Sequence, residues 1–209
     1  MKILVADDHT LVREGLIRVL QEAFSFADID GVSDAVDLIK KITKKKYDII
    51  ISDITMPPGD SGIDAIKHIK QISPCTPVLI MSMYTPEQYA VRAFRAGAKG
   101  YLTKDAASHE LVTAVNLLLA GKRYLSPRVA TVLADSVENS DHEKCVDNLS
   151  NREYEVFKLL ASGKTISGIA AELILSSNTI STFRSKLCEK MGFHNNLELI
   201  KFAVDQHMV

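Results

Sequence analysis

What the sequence has little of narrows the field first. Neither sign of charge prevails: Lys+Arg 25 stand against Asp+Glu 26 over 209 residues, a formal charge of -1, so a uniformly basic nucleic-acid coat is excluded. Long hydrophobic runs are missing. None approaches the ~18 to 20 residues that a membrane span needs, and Met1-Lys2-Ile3-Leu4-Val5-Ala6-Asp7-Asp8 meets two acids before a signal-peptide core can form. The expectation is a cytoplasmic protein with no membrane partner. Cysteine is scarce: Cys75, Cys145 and Cys188 are too few and too scattered for a disulfide framework, and no CxxC spacing is present to hold zinc. They read as free thiols. No internal repeat or low-complexity tract is found either.

What remains is ordinary globular chemistry. With 46% hydrophobic and 24% charged residues the chain can bury a sizeable core, and its length fits one or two domains. The charge balance holds segment by segment: 15 basic against 15 acidic side chains in residues 1–122, 3 against 4 in 123–146, and 7 against 7 in 147–209. No half of the molecule is basic as a whole.

Up to about residue 121, short apolar runs alternate with helical patterns. Lys2 to Ala6, Asp48 to Ser52 and Pro77 to Ser82 are near-continuous Val/Ile/Leu stretches, as expected of strands buried on both faces of a parallel sheet, and Ala27 to Gly31 and Lys99 to Leu102 are weaker candidates. Between them Thr10 to Phe24, Asp34 to Lys45, Gly62 to Ile72, Glu87 to Ala96 and Ser108 to Ala120 carry apolar residues at helical spacing. Five β/α units predict a five-stranded, doubly wound parallel α/β domain over residues 1–122. Asp135 to Asn148, with five acids and one lysine, reads as exposed linker and Ser126 to Leu133 as a short helix before it, the connection between the domains being set at 123–146. After the linker the pattern is helical only. Ser150-Asn151-Arg152-Glu153 is a capping box, Gly163 and Gly192 are helix stops, and four short helices make a separate small all-α domain over 147–209.

In an open α/β sheet, groups at the carboxyl ends of the strands converge on one crevice. Asp7 and Asp8 follow the first strand, Asp53 ends the third, Ser82 ends the fourth and Lys104 follows the fifth. Clustered carboxylates repel, so one is protonated or a cation binds among them, and a hard oxygen site with open water positions suits Mg²⁺. Carboxylates also accept phosphoryl groups, and Lys104 is placed to neutralise phosphoryl oxygens. The alternative is that each Asp simply caps the following helix.

These residues carry a resemblance. The pair Asp7-Asp8, the stretch Asp53-Ile54-Thr55-Met56-Pro57, Ser82 after an apolar strand, and the run from Gly97 through Tyr101 to Lys104 and Asp105 resemble a bacterial response-regulator receiver domain, a flavodoxin-like fold. The resemblance implies that Asp53 accepts phosphate from a sensor histidine kinase, and that Asp8 and Asp53 ligate Mg²⁺ with the Thr55 carbonyl while Asp7 acts through a water. It further implies that Lys104 contacts the phosphoryl group, that Ser82 hydrogen-bonds it on activation, and that Tyr101 is the switch aromatic. Read on its own, Tyr101 is a half-buried strand tyrosine. Two features depart from the pattern. The spacing from Asp53 to Gly62, with Pro58-Gly59-Asp60-Ser61 between, is one residue longer than usual, and Met83 stands after the switch hydroxyl where a small residue is common.

In the second domain the helix Asn178 to Met191 follows a short helix through the tight turn Leu173 to Ser177, as in a helix-turn-helix. Asn178, Thr179, Ser181, Thr182, Arg184, Ser185, Lys186 and Lys190 offer contacts to bases and phosphates, while Ile180, Phe183, Leu187 and Met191 form the buried stripe. Spacing alone leaves a solvated helix face equally open. Leu149-Ser150-x-Arg152-Glu153, Leu159-Leu160-Ala161-x-Gly163, Ile169-Ala170-x-x-Leu173 and Ser176-x-x-Thr179-Ile180 resemble the LuxR-type helix-turn-helix, so the chain resembles NarL/FixJ-type regulators over nearly its whole length. That implies double-stranded DNA as a partner, a homodimer on activation, and RNA polymerase as a further candidate partner. It departs from that pattern at Ser181, Phe183 and Gly168, the last costing a short helix about 1 kcal/mol relative to Ala.

The expected protein is a phosphoacceptor transcription factor rather than an enzyme. Two rivals stay open: a metal-dependent phosphohydrolase, although its acids are adjacent here rather than spaced Asp-x-Asp, and a receiver whose helical tail binds protein. Met83 is expected to narrow access of water to an acyl phosphate on Asp53. Phosphorylated protein with added Mg²⁺ should therefore lose its phosphoryl group slowly; a half-life of seconds, followed by intact mass, contradicts that expectation.

Overall fold

The structure is a computed structural model that describes residues 1–56, 62–138 and 149–205. The chain divides into two compact units, Met1–Glu138 and Asn139–Val209.

In the first unit five strands, β1 (Lys2–Ala6), β2 (Asp28–Val32), β3 (Ile49–Asp53), β4 (Val78–Ser82) and β5 (Gly100–Thr103), pair in parallel in the order β2-β1-β3-β4-β5. The helices α1 (Thr10–Ala23), α2 (Ala35–Lys44), α3 (Gly62–Ile72), α4 (Pro86–Ala96) and α5 (Ala107–Leu119) make the crossovers. Because side chains alternate along a strand, each central strand feeds two cores. Ile3, Val5, Ile49, Ile51, Leu79 and Met81 join Leu16 and Leu20 of α1 and Leu111, Ala114, Val115 and Leu118 of α5 in one cluster. Leu4, Ile50 and Ile80, equally buried, take the other parity. The β3 and β4 sequences, Ile-Ile-Ile-Ser-Asp and Val-Leu-Ile-Met-Ser, are buried at every position, so each polar side chain at their ends is carried into the interior.

The edge strand β2 is built differently. Its Asp30 carboxylate accepts hydrogen bonds from Lys45 Nζ at 2.7 Å and the Tyr47 hydroxyl at 2.6 Å, which hold it well below the usual carboxylate range. Charged side chains on an edge also discourage pairing with another chain.

The helix after the receiver-like sheet is longer than its sequence pattern suggests. α6 runs Pro127–Glu138, so the expected linker from Asp135 begins as helix; its continuation, 139–148, lies outside the described residues. The physical reason is that Pro127 opens the helix at its first turn and neither Gly nor Pro follows before Glu138, so the exposed Asp135 stands on a helix instead of a loop. Ser126 caps it through the Val129 amide at 3.3 Å, and α6 packs on α4 with Val129 buried. Tyr124 ties this segment back, its amide donating to the Lys99 carbonyl at 3.0 Å and its hydroxyl to Glu110.

The second unit contains α7 (Asn151–Ala161), α8 (Ile166–Glu172), α9 (Ser177–Met191) and α10 (Asn196–Asp205) around Val156, Phe157, Ile169, Ile180, Leu187 and Leu199. The capping box forms: the Glu153 amide donates to Ser150 Oγ at 3.3 Å, and the Ser150 amide to Glu153 Oε2 at 2.7 Å. Glu153 Oε2 also takes Lys190 Nζ of α9 at 2.6 Å. Burial alone would push this carboxyl up, but Lys190 and the Ser150 cap outweigh it and hold it below its ordinary value.

Two outcomes are expected. A carboxyl lowered by folding contributes stability that is present above its unfolded value of ~4.3 and lost as pH falls through the folded value. Glu153→Gln should therefore cost about 1 to 2 kcal/mol at pH 7, with the gap to the unsubstituted chain closing towards pH 3 in thermal melts; a gap independent of pH contradicts this. Separately, a Cβ on Gly62 would lie 2.8 Å from Ile54 Cα and against the Asp53 carbonyl, both backbone groups that cannot swing aside. Gly62→Ala should cost about 2 kcal/mol or more in urea unfolding.

Candidate functional site

All five strands run one way, so their carboxyl ends share one edge, and the order reverses between β1 and β3 at the point where open sheets bind ligands. Five of the side chains expected there are brought together. Lys104, one residue past β5, places Nζ 2.8 Å from Asp53 Oδ2 and 2.8 Å from Asp7 Oδ2. Asp7, Asp53 and Lys104 are all buried there, while Asp8 is about one-third exposed at the rim. Asp53 Oδ1 is held by the Ile54 amide at 2.6 Å and faces the Thr55 amide at 3.4 Å, which leaves Oδ2 as the free edge of the carboxylate apart from Lys104.

The pocket is short of positive charge. Burial raises Asp53 above the ordinary carboxylate range, and the nearby Asp7 adds to this against the pull of Lys104. Burial would lower Lys104, yet its hydrogen bond to Asp53 and the adjacent Asp7 carboxylate outweigh that and hold the ammonium above its usual value. Two oxygens, Asp7 Oδ2 and Asp8 Oδ1, are buried without a hydrogen bond of good geometry among the described residues; Lys104 Nζ and His9 Nδ1 lie 2.8 and 2.7 Å from them as charge neighbours. Asp7, Asp8, His9 and Asp53 offer ligand atoms all within 4.8 Å of one another. A donor set of carboxylate oxygens with unsatisfied lone pairs fits a hard cation. His9 was missed from the sequence. The signal available was its place directly after the acidic pair, and its amide fixes Asp7 Oδ1 at 2.8 Å.

Ser82 and Tyr101 sit together behind the pocket. The Ser82 Oγ, fully buried, accepts from the Tyr84 amide at 2.9 Å, while the Tyr101 hydroxyl donates to the Tyr84 carbonyl at 2.9 Å. Tyr101 is wholly buried, which pushes its phenol up, and not half-buried as its own strand pattern implied. Tyr84 packs on Tyr89 of α4 with ring centroids 4.9 Å apart. One turn away, Glu87 takes both Arg128 Nε at 2.6 Å and Nη2 at 2.9 Å, a bidentate pair to α6 that holds Glu87 down to about 2. Met83 is exposed beside this loop, and the extended spacing at Pro58-Gly59-Asp60-Ser61 lies outside the described residues.

In the second unit α8, a tight turn and α9 form a helix-turn-helix, with Ser176 capping α9 through the Thr179 amide at 3.1 Å. Asn178, Thr182, Ser185 and Lys186 share one exposed stripe. Thr179 is engaged with Ser176 Oγ, and Ser181 is half-buried. Two of the cations counted from sequence are otherwise occupied: Arg184 Nε donates to Asn196 Oδ1 at 2.7 Å, and Lys190 closes the Glu153 cap. Of the hydrophobic stripe, Ile180 and Leu187 are fully buried and Phe183 and Met191 partly so.

The family described as response regulator receiver domain matches residues 3–116, and bacterial regulatory proteins of the luxR family match residues 147–203. The oxygen regulatory protein NreC of Staphylococcus carnosus is 33% identical over all of this chain and 99% of its own, and the response regulator GacA of Pseudomonas aeruginosa 32% identical over all of this chain and 98% of its own. Among solved structures, the response regulator RcsB in complex with DNA is 28% identical with a TM-score of 0.60 over 98% of both chains. A LuxR-family response regulator from Aurantimonas sp. is 36% identical with a TM-score of 0.60, over 65% of this chain and 96% of that one. Two family matches in succession, with relatives alike from end to end, answer what the acid pocket and the helix-turn-helix left open: the chain belongs to the two-component response regulators of the NarL/FixJ type.

Proposed function

We propose that this regulator takes a phosphoryl group from a sensor histidine kinase onto Asp53 and in that state regulates transcription by binding double-stranded DNA through α8 and α9. The observation that carries the reading is the buried Asp53 carboxylate with one oxygen locked by backbone amides and the other facing Lys104. In the transfer, Asp53 Oδ2 attacks phosphorus while the phosphorus–nitrogen bond of the donor phosphohistidine breaks and its electron pair returns to the imidazole. Lys104 neutralises phosphoryl oxygens as charge moves onto Asp53. Asp8, Asp53 and the Thr55 carbonyl would hold Mg²⁺, with Asp7 acting through a water, and a bound ion would supply the positive charge the pocket lacks.

The phosphoryl group changes what the Ser82 hydroxyl meets. Its oxygens compete for Ser82, whose present partner is the Tyr84 amide, and Tyr84 in turn holds Tyr101. Phosphorylation acts as a ligand that favours one of two arrangements of this loop by its differential contacts. The chain is a switch and not an enzyme with turnover. Residues 1–122 form the receiver, 123–146 the connection and 147–209 the DNA-binding domain.

On the DNA side, Asn178, Thr182, Ser185 and Lys186 face base edges and phosphates, with Thr179 and Ser181 at the margin. Arg184 keeps its two terminal nitrogens for phosphate while Nε holds Asn196, and the charge of Lys190 is largely offset by Glu153. So few free cations make monomer affinity modest and salt-sensitive, and a homodimer on two half-sites doubles the contacts. RNA polymerase is a further candidate partner.

Acetyl phosphate with Mg²⁺ should add the mass of one phosphate to the wild type and none to Asp53→Asn, and strengthen retention on DNA in the wild type only. No mass increase in the wild type sinks the phosphoacceptor reading; many phosphates released per Asp53 favours a phosphohydrolase instead.

A further inference from the structure

The turn between α8 and α9 holds the one described non-glycine residue with positive φ, Ile174 at 55°. The other described left-handed positions, at residues 97, 121, 163 and 192, are all glycine. The backbone demands that conformation here. Leu173 is the last residue of the α8 cap, and the Leu175 amide returns to the Ala170 carbonyl at 2.9 Å, which is the six-residue closure of a helix ending in a left-handed residue. Glycine or asparagine fills such a position without penalty, whereas a β-branched side chain crowds its own carbonyl.

Nothing inside the fold repays the strain. Ile174 is 91% exposed, the most exposed of the large hydrophobics among the described residues of its unit, while its neighbours Ile169, Ala170 and Ile180 are buried. Strain that the structure does not use is evidence for a contact outside it. Ile174 stands two residues before Ser176, the cap of α9, the helix whose N-terminal end enters the major groove in this motif.

We infer that Ile174 is a specificity-determining residue that lays its apolar side chain on a thymine methyl group beside the α9 entry point. The inference rests on the DNA-binding reading above. It makes the turn an apolar reader next to the polar stripe Asn178, Thr182, Ser185 and Lys186, and an uncharged side chain contributes to affinity without releasing counterions.

The test selects duplexes from a random-sequence pool with the full chain after acetyl phosphate and Mg²⁺ treatment, phosphorylation being checked by intact mass, then measures the enriched duplex against Ile174→Asn and Ile174→Leu treated in the same way. Ile174→Asn should raise the melting temperature of the helical unit by about 4 °C. It should weaken binding about five- to tenfold, leave the salt slope unchanged, and erase the preference for thymine at one position of the selected motif. Ile174→Leu should keep both affinity and motif. A gain in stability with unchanged affinity and motif overturns the inference and leaves DNA binding standing. A wild type that enriches no duplex overturns the DNA-binding reading, and the inference with it.

Discussion

The interaction on which the receiver depends is one ammonium shared by two buried carboxylates. Lys104 stands 2.8 Å from both Asp7 and Asp53, and none of the three is more than 7% exposed. Taking ions out of water costs several kcal/mol each, and one cation between two anions does not cancel the charge. The arrangement is tolerable because the sheet imposes it: β1, β3 and β5 are parallel, their carboxyl ends share an edge, and Ile3, Ile49, Ile50 and Leu79 are packed too tightly for the strands to slide. A one-residue slip of β3 would send Asp53 to the other face of the sheet and bury an uncompensated charge. Register and function are therefore fixed by the same hydrophobic pattern.

Much of this was legible in the sequence because strands buried on both faces leave few alternatives. Unbroken runs such as Ile49-Ile50-Ile51 have only one place in an α/β domain, and the residues directly after them land at the crevice. The positions of Asp7, Asp8, Asp53, Ser82 and Lys104 are set by strand ends alone. What escaped is what depends on through-space partners. His9 has no periodic signal, and its place beside Asp8 emerges only once the turn after β1 is drawn. Arg184 and Lys190 look like free cations on a helix face until α10 brings Asn196 and α7 brings Glu153 to them. The acidic composition around Asp135 reads as a loop, because composition records solvation and says nothing of the backbone conformation beneath it.

The near-neutral charge of the second unit takes on a different meaning once these pairs are known. Seven cations against seven acids excluded a basic coat, and three cations on α9 promised one charged helix face. Lys190 is committed to the cap of α7 and Arg184 to α10, which leaves Lys186 as the cation on the exposed stripe. A helix with this little free charge gains from shape, hydrogen bonds and apolar contact more than from phosphate attraction. Two of the three cations of α9 thus also fasten the helices to each other, Lys190 through the Glu153 carboxylate of α7 and Arg184 through the Asn196 amide of α10.

The first unit has a comparable economy. Ser82 and Tyr101 both bond to Tyr84, on opposite sides of its peptide units, so the amide and the carbonyl of one residue report on the pocket and on β5. Tyr84 packs on Tyr89, and Glu87 in the first turn of α4 grips Arg128 of α6 with two hydrogen bonds. A surface ion pair of this kind contributes little to stability, but a bidentate one fixes orientation. It ties α6, the last described element of this unit, to the first turn of α4, three residues after Tyr84. What is fastened at Arg128 and Val129 is therefore a helix that continues through Asp135 to Glu138, and not the flexible acidic strand that composition alone suggests, because neither glycine nor proline interrupts it over that stretch.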